Sequence, residues 1–393
     1  MLLSINIEIT AIINYQKYFM KFTKSSIIYF LLVFVPISVI LDLVHADHII
    51  IFIIAVIALI PLAKLIGDST EHLSTHYGST LGSLLNVTFG NAAEIIIAVV
   101  AINAGLIDLV KASITGAILG NIMLIFGLSM IAGGIRKKEQ LFSRENAGLQ
   151  STMIFLAIIG LAIPTVVSST ILKPAEIENQ LKIQFLSDAL AILLLLVYIA
   201  GIVFTFFTHK HLFVTPQMEE ENNNHNIDTT TTTTTTTTTK HWGKKRAFFM
   251  LAISMVGVVV VSEILVGSIE ETSKQFGFGE LFVGAIIIGI VGNAAEHSSA
   301  IILARKGKID LSIGIAAGSG TQIALFVVPL LVIFGIILNQ PFTLEFTIYE
   351  LVTLFLAAII LNLIAHDGRS NWFEGVMLTA VYIIIAMGFY FIG

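Results

Sequence analysis

The stretch "GNAAEIIIAVV" begins at Gly90, and a second copy of its first five letters opens "GNAAEHSSAII" at Gly292. Each copy places a glutamate, Glu94 or Glu296, inside a run of residues that is apolar enough to cross a bilayer. An acidic residue at the centre of a membrane helix costs about 2.5–3.5 kcal/mol on insertion scales, so such residues are usually functional. The repeated phrase therefore predicts a membrane protein whose function requires two carboxylates.

The composition of the chain supports a membrane location. The chain has 393 residues, of which 56% are hydrophobic and 12% are charged, about half the charged fraction of a soluble domain. It contains no cysteine, which excludes disulfides, thiolate metal sites and cysteine nucleophiles. No nucleotide-binding pattern occurs, so ATP-driven pumping has no support in the sequence.

Apolar runs recur along the whole chain at lengths that span a bilayer. In lipid every backbone polar group must be paired within the segment, so these runs predict helices and an all-α fold. The sequence predicts eleven transmembrane helices, at about 26–44, 48–66, 84–105, 112–135, 149–169, 184–207, 246–268, 280–304, 311–338, 344–365 and 373–392.

The positions of lysine and arginine predict the orientation of these helices. If the N-terminus is cytoplasmic, four of the 21 basic residues lie on the far side, namely Lys111, Lys173, Lys182 and Lys274. The other 17 lie on the cytoplasmic side, which is the bias expected of cytoplasmic loops. The charge distribution therefore supports both the helix count and a C-terminus on the opposite side.

The one long hydrophilic stretch divides the helices into groups. It contains eleven consecutive threonines, Thr229 to Thr239, and has too few apolar residues to form a packed core. The predicted organisation is an N-terminal cytoplasmic extension (1–25), a first helix outside the repeats (26–44), a first repeat (48–207), a disordered cytoplasmic linker (208–245) and a second repeat (246–393).

The sequence similarity between the two groups extends beyond the repeated phrase. "SITGAILGNIMLIFG" (113–127) follows the first copy and "SIGIAAGSGTQIALF" (312–326) follows the second. Five helices per unit is an odd number, so the units insert in opposite orientations and are related by a pseudo-two-fold axis in the membrane plane. We therefore expect Glu94 and Glu296 to face each other near the bilayer centre.

Two facing carboxylates favour exchange chemistry. Two ionised carboxylates at close range repel each other, so an empty site must bind protons or a cation. Two carboxylates also neutralise a divalent ion, and an all-oxygen ligand set favours Ca²⁺, with Mn²⁺ as a second option. The candidate metal ligands are Glu94, Glu296 and the amides of Asn91, Asn293, Asn121 and Gln322.

Glycines flank this candidate site. Gly90, Gly292, Gly318 and Gly320 would permit broken helices or carbonyl groups exposed to the metal. Close packing between helices explains such glycines equally well. Gly90 and Gly292 are among the candidate metal-site residues because they could expose carbonyl groups to the metal.

His297 breaks the symmetry of the two copies, because Ile95 occupies the equivalent position. A histidine beside a membrane carboxylate can accept a proton or gate its protonation. We therefore predict Glu94, Glu296 and His297 as the proton-coupling residues, and a packing role for His297 is the alternative.

Two further groups of polar residues carry weaker predictions. The spacing of Asp68, His72 and His76 resembles a metal-binding stripe, but an amphipathic segment on the cytoplasmic surface is favoured. Glutamates further along the chain could line the opposite entrance or lie on a solvated helix end; these are Glu263, Glu270 and Glu271.

The two GNAxE phrases, the second followed by histidine, together with "GSGTQIALF" and "DGRSNW", resemble the cation/proton exchangers of the calcium/cation antiporter superfamily. The resemblance spans about residues 48–393. It implies eleven helices in two inverted repeats, Ca²⁺ export from the cytosol into an acidic organelle, and Glu94 and Glu296 as the essential acidic pair with His297 as its adjacent histidine. Sodium/calcium exchangers carry Ser and Pro before the acidic residue, which are absent here.

The sequence as a whole predicts a secondary antiporter that exchanges cytosolic Ca²⁺ for luminal protons in a vacuolar or other acidic-organelle membrane. We expect a transporter and not an enzyme, with no resident cofactor. Its expected partners are Ca²⁺, protons and the lipid bilayer, and no nucleic acid is expected. The sequence is compatible with a homo-oligomer. The alternatives are a sodium-coupled exchanger and a cation channel with the two glutamates as a selectivity ring. An intramembrane hydrolase is the weakest reading.

Overall fold

A computed structural model describes residues 28–135, 137–172, 176–209 and 242–392. These residues form a nearly all-helical bundle, which confirms the predicted all-α class. In chain order the helices are α1 (Ile28–Leu43), α2 (His48–Ser74), α3 (Gly78–Gly90), α4 (Ala92–Asn103), α5 (Ile107–Gly134), α6 (Arg144–Thr170), α7 (Ile177–Thr208), α8 (Lys244–Phe276), α9 (Glu280–Gly292), α10 (Ala294–Arg305), α11 (Ile309–Ile337), α12 (Ile348–Ala365) and α13 (Trp372–Ile392).

Nine segments in the described part of the chain are long and apolar enough to cross a membrane: eight single helices, and Leu84–Asn103, which runs through most of α3 and all of α4. Helices α9 and α10, bent by 60° at their junction, make a tenth span when they are counted together. Helix α1 is a shorter apolar helix, so the count of eleven stays a prediction. The predicted extension at 1–25 and nearly all of the linker at 208–245 lie outside the described residues.

Several helices extend beyond their predicted ends. Helix α2 continues to Ser74 and α8 to Phe276, although the apolar runs predicted ends near 66 and 268. In both cases the added turns carry charged and polar residues, which a hydropathy pattern assigns to loops. At the end of α8, Lys274 pairs with Glu270 and Glu271 on the preceding turn, a pattern typical of a solvated helix end.

Helix α5 lies at the centre of the bundle. In its most apolar stretch 83% is buried, whereas in that of α7 only 17% is buried. The backbone of α9 packs directly on α5 because glycines remove the side chains between them. A Cβ added to Gly116 would overlap the carbonyl of Ala285, and one added to Gly289 would lie 2.8 Å from the amide of Ala117. Small residues allow this close approach, which supplies packing energy in a lipid environment.

Contacts near the ends of the helices define two ends of the bundle. At one end, which we call the strand end, β1 (Gln140–Leu141) pairs antiparallel with β2 (Arg369–Ser370). At the opposite end, Lys111 lies 6.0 Å from the ring centre of Phe342. Helices α4 and α11 end at this opposite end, and α5 and α9 begin there.

The two longest apolar helices pair along their full length. Thr272 at the end of α8 donates to the carbonyl of His48 at the start of α2 (3.2 Å), and Gly257 packs on Leu62 near the middle. At the strand end, His76 Nε2 donates to the carbonyl of Trp242 (2.9 Å). Helices α2 and α8 therefore run antiparallel, as the first helices of two inverted repeats should.

Candidate functional site

Both copies of the repeated phrase contain a break in a helix. Asn91 separates α3 from α4 and Asn293 separates α9 from α10, with φ, ψ of −95°, 16° and −93°, 6°. Each break begins a new helix inside the bundle, and Glu94 and Glu296 lie in the first turns of α4 and α10. Unpaired N–H groups at a helix start favour negative charge, so each break supplies a favourable place for a carboxylate at membrane depth.

The two glutamates lie at one place in the bundle, each against a glycine from the other copy. A Cβ added to Gly292 would lie 3.5 Å from Glu94 Oε1, and one added to Gly90 would lie 3.7 Å from Glu296 Oε1. The glycine that begins each copy of the phrase thus lies against the glutamate of the other copy. This is the pattern of two helices that cross antiparallel.

Four amides form two matching hydrogen bonds between the copies. Asn91 Nδ2 donates to Gln322 Oε1 (2.9 Å), and Asn121 Nδ2 donates to Asn293 Oδ1 (3.3 Å). Each asparagine at a helix break therefore pairs with an amide that follows the break of the other copy. The structure brings all the predicted site residues together: Glu94, Glu296, Asn91, Asn293, Asn121, Gln322, Gly90, Gly292 and His297.

Short π-helical segments occur at equivalent positions of the central helices. One covers Gly120–Ile125 in α5 and starts at the residue before Asn121. Another covers Ile323–Val327 in α11 and starts at the residue after Gln322. Such bulges change the direction of a helix surface and are frequent at functional sites. The hydropathy pattern did not predict them, because an apolar run has the same appearance with and without one extra residue.

The environments of the two carboxylates differ. Ser319 donates a hydrogen bond to Glu296 Oε2. Glu94 Oε2 is buried and has no hydrogen-bond partner among the described residues. Ser319 is not among the site residues predicted from the sequence, although its position three residues before Gln322 places both on one face of α11.

A small cavity of about 30 Å³ reaches Glu94. Its walls come from the second half of α11, the first half of α5, the last turns of α9 and the first half of α4. Its lining residues include Ile97, Ser113, Gly289, Asn293, Val327 and Leu331. Most of the lining is apolar, so the carboxylate and the amide are its main polar groups.

His297 bonds to an amide of the other copy. Its Nε2 lies 3.1 Å from Asn121 Oδ1, and the side chain is 5% exposed. Asn121 in turn donates to Asn293, and Asn293 Nδ2 donates to the carbonyl of Gly289 (3.2 Å). His297 therefore belongs to the hydrogen-bond network of the site.

The remaining polar candidates lie outside this network. His72 stacks on Trp242 with ring centres 4.7 Å apart, and Asp68 pairs with Lys64 at 3.1 Å. Glu263 is exposed on α8. Within the described ranges, no group of three or more His, Asp or Glu side chains is arranged to hold a metal ion. A metal at the Glu94–Glu296 site would thus depend on two carboxylates completed by neutral oxygens.

Comparisons with known proteins agree with this architecture. A family model described as sodium/calcium exchanger protein matches residues 47–207 and 246–391. The chain is 40% identical to the Ca²⁺/H⁺ antiporter of Aphanothece halophytica, over 94% of this chain and 97% of the relative. It is also 38% identical to the vacuolar calcium ion transporter of Schizosaccharomyces pombe, over 93% of this chain and 85% of the relative.

Solved structures share the fold. The structure of native YfkE superimposes with a TM-score of 0.76 at 36% identity and covers 93% of this chain and 99% of that chain. The H⁺/Ca²⁺ exchanger CAX superimposes with a TM-score of 0.63 at 14% identity, covering 94% of this chain and 93% of that chain. The second match concerns the fold alone.

Proposed function

The chain belongs to the sodium/calcium exchanger protein family, and from this premise we propose that it is a secondary active antiporter that exchanges cytosolic Ca²⁺ for protons. The resemblance to exchangers noted in the sequence is thereby confirmed. The names of the relatives, Ca²⁺/H⁺ antiporter and vacuolar calcium ion transporter, support Ca²⁺ and protons as the substrates.

One observation carries the assignment of the site. Glu94 and Glu296 come from two copies of one phrase, and each packs against a glycine of the other copy beside crossed amide pairs. A pair of acidic residues that served only to hold helices together would bond to fixed partners. Glu94 Oε2 is instead buried beside a cavity with no hydrogen-bond partner among the described residues, which suits a group that binds an exchanged ion.

Charge balance couples the two ions. Two ionised carboxylates in a membrane interior are unfavourable, because burial and mutual repulsion both oppose the charged form. One Ca²⁺ or two protons neutralise the pair equally, so proton and metal compete for the same oxygens. The empty, charged site is the least favourable state, and this discourages the carrier from changing conformation without an ion.

The direction of transport follows from the proposed orientation. With the N-terminus in the cytoplasm, the strand end faces the cytosol, and the walls that α5 and α11 give to the Glu94 cavity lie toward the far side. The family relatives from vacuoles support an acidic compartment on that side. Luminal protons would then reach Glu94 and displace Ca²⁺ that had entered from the cytosol.

Transport in sealed vesicles tests this proposal. Purified protein is reconstituted in vesicles with an acidic interior, labelled Ca²⁺ is added outside, and uptake is followed with and without a protonophore. We expect uptake that a protonophore abolishes and that a sodium gradient does not replace. Uptake without any pH gradient would indicate a channel, and uptake that follows sodium would indicate a sodium-coupled exchanger.

Substitution of the glutamates tests the site itself. Glu94→Gln and Glu296→Gln should each reduce pH-driven uptake at least about 100-fold, because the site can no longer neutralise Ca²⁺ or exchange two protons. Glu263→Gln serves as the matched control, since Glu263 lies on a membrane helix but is exposed and away from the site. Full uptake by either site variant would refute the assignment.

A further inference from the structure

We propose that a surface at the strand end binds the headgroup of an anionic phospholipid. The surface is formed by the loop from α5 to α6, the turn from α10 to α11 and the loop from α12 to α13. It lies apart from the Glu94–Glu296 pair, because Glu296 is in the first turn of α10 and the surface is at the other end of that helix. The inference is independent of the proposed ion exchange.

Backbone contacts join these three segments into one surface. Strand β1 pairs with β2, and the backbone N–H of Phe142 donates to the carbonyl of Gly368 (3.0 Å). A Cβ added to Gly133 would lie 2.9 Å from the carbonyl of Ala304, so the ends of α5 and α10 are in contact. The turn after α10 therefore lies beside the loop after α5.

Basic side chains from all three segments are exposed, and we call this region the basic surface. Lys137 reaches from the loop after α5 to the turn after α10, where its Nζ would lie 3.1 Å from a Cβ added to Gly307, the residue that follows Lys306. Cations from two separate loops are thus held side by side. Among the described residues, the exposed charged side chains here are the basic Lys137, Lys138, Arg144, Arg305, Lys306 and Arg369 and the acidic Glu139, Glu145 and Asp367.

Most of these cations have no carboxylate partner. Arg369 pairs with Glu139 at 3.7 Å, whereas the other basic residues of this surface form no ion pair within the described part of the chain. The free carbonyl groups at the end of α10 favour a nearby cation, but they do not balance several. Like charges that are held close together repel each other, so the basic surface favours a ligand that brings negative charge.

Exposed apolar side chains lie directly beside the cations. Trp372 begins α13, packs on Gly134 at the end of α5 and is 51% exposed. Ile135, the residue after that glycine, is 73% exposed. In the short sheet Leu141 lies opposite Arg369 and both are exposed, so an apolar and a basic side chain share the outward face. Tryptophan at the end of a membrane helix is typical of the level where headgroups lie.

This combination fits a phospholipid better than it fits a soluble anion. Phosphate groups pair with lysine and arginine, and basic pockets between the ends of membrane helices bind anionic headgroups. The acyl chains of the same molecule would cover the apolar side chains, for which a soluble phosphate has no use. The excess of positive charge selects an anionic lipid over a zwitterionic one, by about fivefold for each basic residue that contacts the headgroup.

Tryptophan fluorescence tests the inference directly. The chain has two tryptophans, so Trp242→Phe leaves Trp372 on the basic surface as the single fluorophore. This protein is reconstituted in phosphatidylcholine vesicles that contain increasing fractions of brominated phosphatidylglycerol or of brominated phosphatidylcholine. Bromine quenches a tryptophan that it touches, so the two titrations give the relative affinity of the surface for the anionic and the zwitterionic lipid.

A pair of double variants, each made in the Trp242→Phe chain, locates the binding. Lys137→Gln with Lys306→Gln removes two cations of the basic surface. Lys244→Gln with Lys245→Gln is the matched control, because it removes the same charge from exposed residues at the start of α8, outside the three segments. Folding of each variant is checked by gel filtration in detergent.

We expect the anionic lipid to be preferred about tenfold, and the first double variant to lower this preference at least about threefold while the control keeps it. Added salt should weaken the preference, because it screens exposed charges. If the first double variant fails to fold, Lys138→Gln with Arg305→Gln replaces it.

Three results would overturn the inference. These are equal quenching by the two lipids, an equal loss of preference in the control variant, and displacement of the anionic lipid by millimolar glycerol phosphate, which would indicate a site for soluble phosphates. The measurement needs no transport, so its failure would leave the proposed exchange standing, and an absence of pH-driven uptake would leave lipid binding standing.

Discussion

The two halves of the ion site have the same design but different packing. In the Glu94 half, a cavity reaches the carboxylate between α4 and the end of α11. In the Glu296 half, Ser319 bonds the carboxylate. Two halves built from one repeated sequence therefore hold their carboxylates in two different environments, which is what a transporter that opens to one side at a time requires.

The two central helices carry different side chains at positions that match across the repeats. After the π-helical segment of α11, Val327 and Leu331 line the cavity. Counted from Asn121 and Gln322, the equivalent positions of α5 hold Phe126 and Met130. Both are large side chains and almost completely buried, at 2% and 0% exposure. Phe126 is larger than Val327, so less free space is expected at this position of α5 than at the matching position of α11.

The most severe test of this comparison fills the open half. Val327→Phe places in α11 the side chain that α5 already carries at the equivalent position. We expect pH-driven Ca²⁺ uptake to fall at least about tenfold, because overpacking displaces neighbouring side chains and blocks access to Glu94. The control is Ile337→Phe on the same helix, where the side chain is 66% exposed. Unchanged uptake in Val327→Phe would show that the cavity is not the ion path.

The two glycines of the repeated phrase provide the next test. A Cβ at Gly292 would lie 3.3 Å from Glu94 Cγ, which is tighter than an ordinary contact, whereas a Cβ at Gly90 would lie 3.7 Å from Glu296 Oε1. We therefore expect Gly292→Ala to raise the KM for Ca²⁺ about fivefold, because Glu94 must shift, and Gly90→Ala to change it less than about twofold. Equal effects on labelled Ca²⁺ uptake would show that the two carboxylates are equally crowded.

Ser319 provides a smaller effect that is confined to the Glu296 half. Its hydroxyl donates to Glu296 Oε2, and one hydrogen bond contributes about 0.5–1.5 kcal/mol, so Ser319→Ala should weaken Ca²⁺ binding about threefold. The control is Ser299→Ala, since Ser299 donates to Ala295 of its own helix and is exposed. Calorimetry of Ca²⁺ binding in detergent measures both. A loss as large as that of Glu296→Gln would mean that Ser319 does more than bond one carboxylate.

The smallest effect on transport is expected from a pair of labelling variants. The chain has no cysteine, so single cysteines can be introduced without background. Ser113 lines the cavity, and Ser312, which opens the matching stretch of the second repeat, is 0% exposed. A water-soluble thiol reagent should label Ser113→Cys several times faster than Ser312→Cys, with near-normal uptake in both, because only the first side chain borders open space. Equal labelling rates would remove the asymmetry.

The helices of this fold could be predicted from the sequence because apolar runs in lipid have one stable backbone arrangement. The predicted segments at 48–66, 246–268 and 373–392 correspond to α2, α8 and α13. The ends of α2 and α8 could not be predicted in the same way, since their last turns are polar and leave the apolar region. Repeat boundaries and membrane orientation stay predictions.

The residues of the site could be predicted from the sequence, but the contacts between them could be predicted only in part. The duplicated phrase identified Glu94 and Glu296, and the inverted arrangement predicted that they would face each other. The pairing of Asn121 with Asn293 and His297 depends on the helix break and on the π-helical turn. Neither has a distinct sequence pattern, because both change the backbone by a single residue within an apolar helix.

The most direct test of the account counts ions on the purified protein. If Glu94 and Glu296 form one shared site, the protein should bind one Ca²⁺ per chain and release protons as it does so. Either Glu94→Gln or Glu296→Gln alone should then abolish both the binding and the proton release. Two Ca²⁺ per chain, or a single-glutamate variant that keeps half of the capacity, would contradict a shared site and with it the proposed exchange.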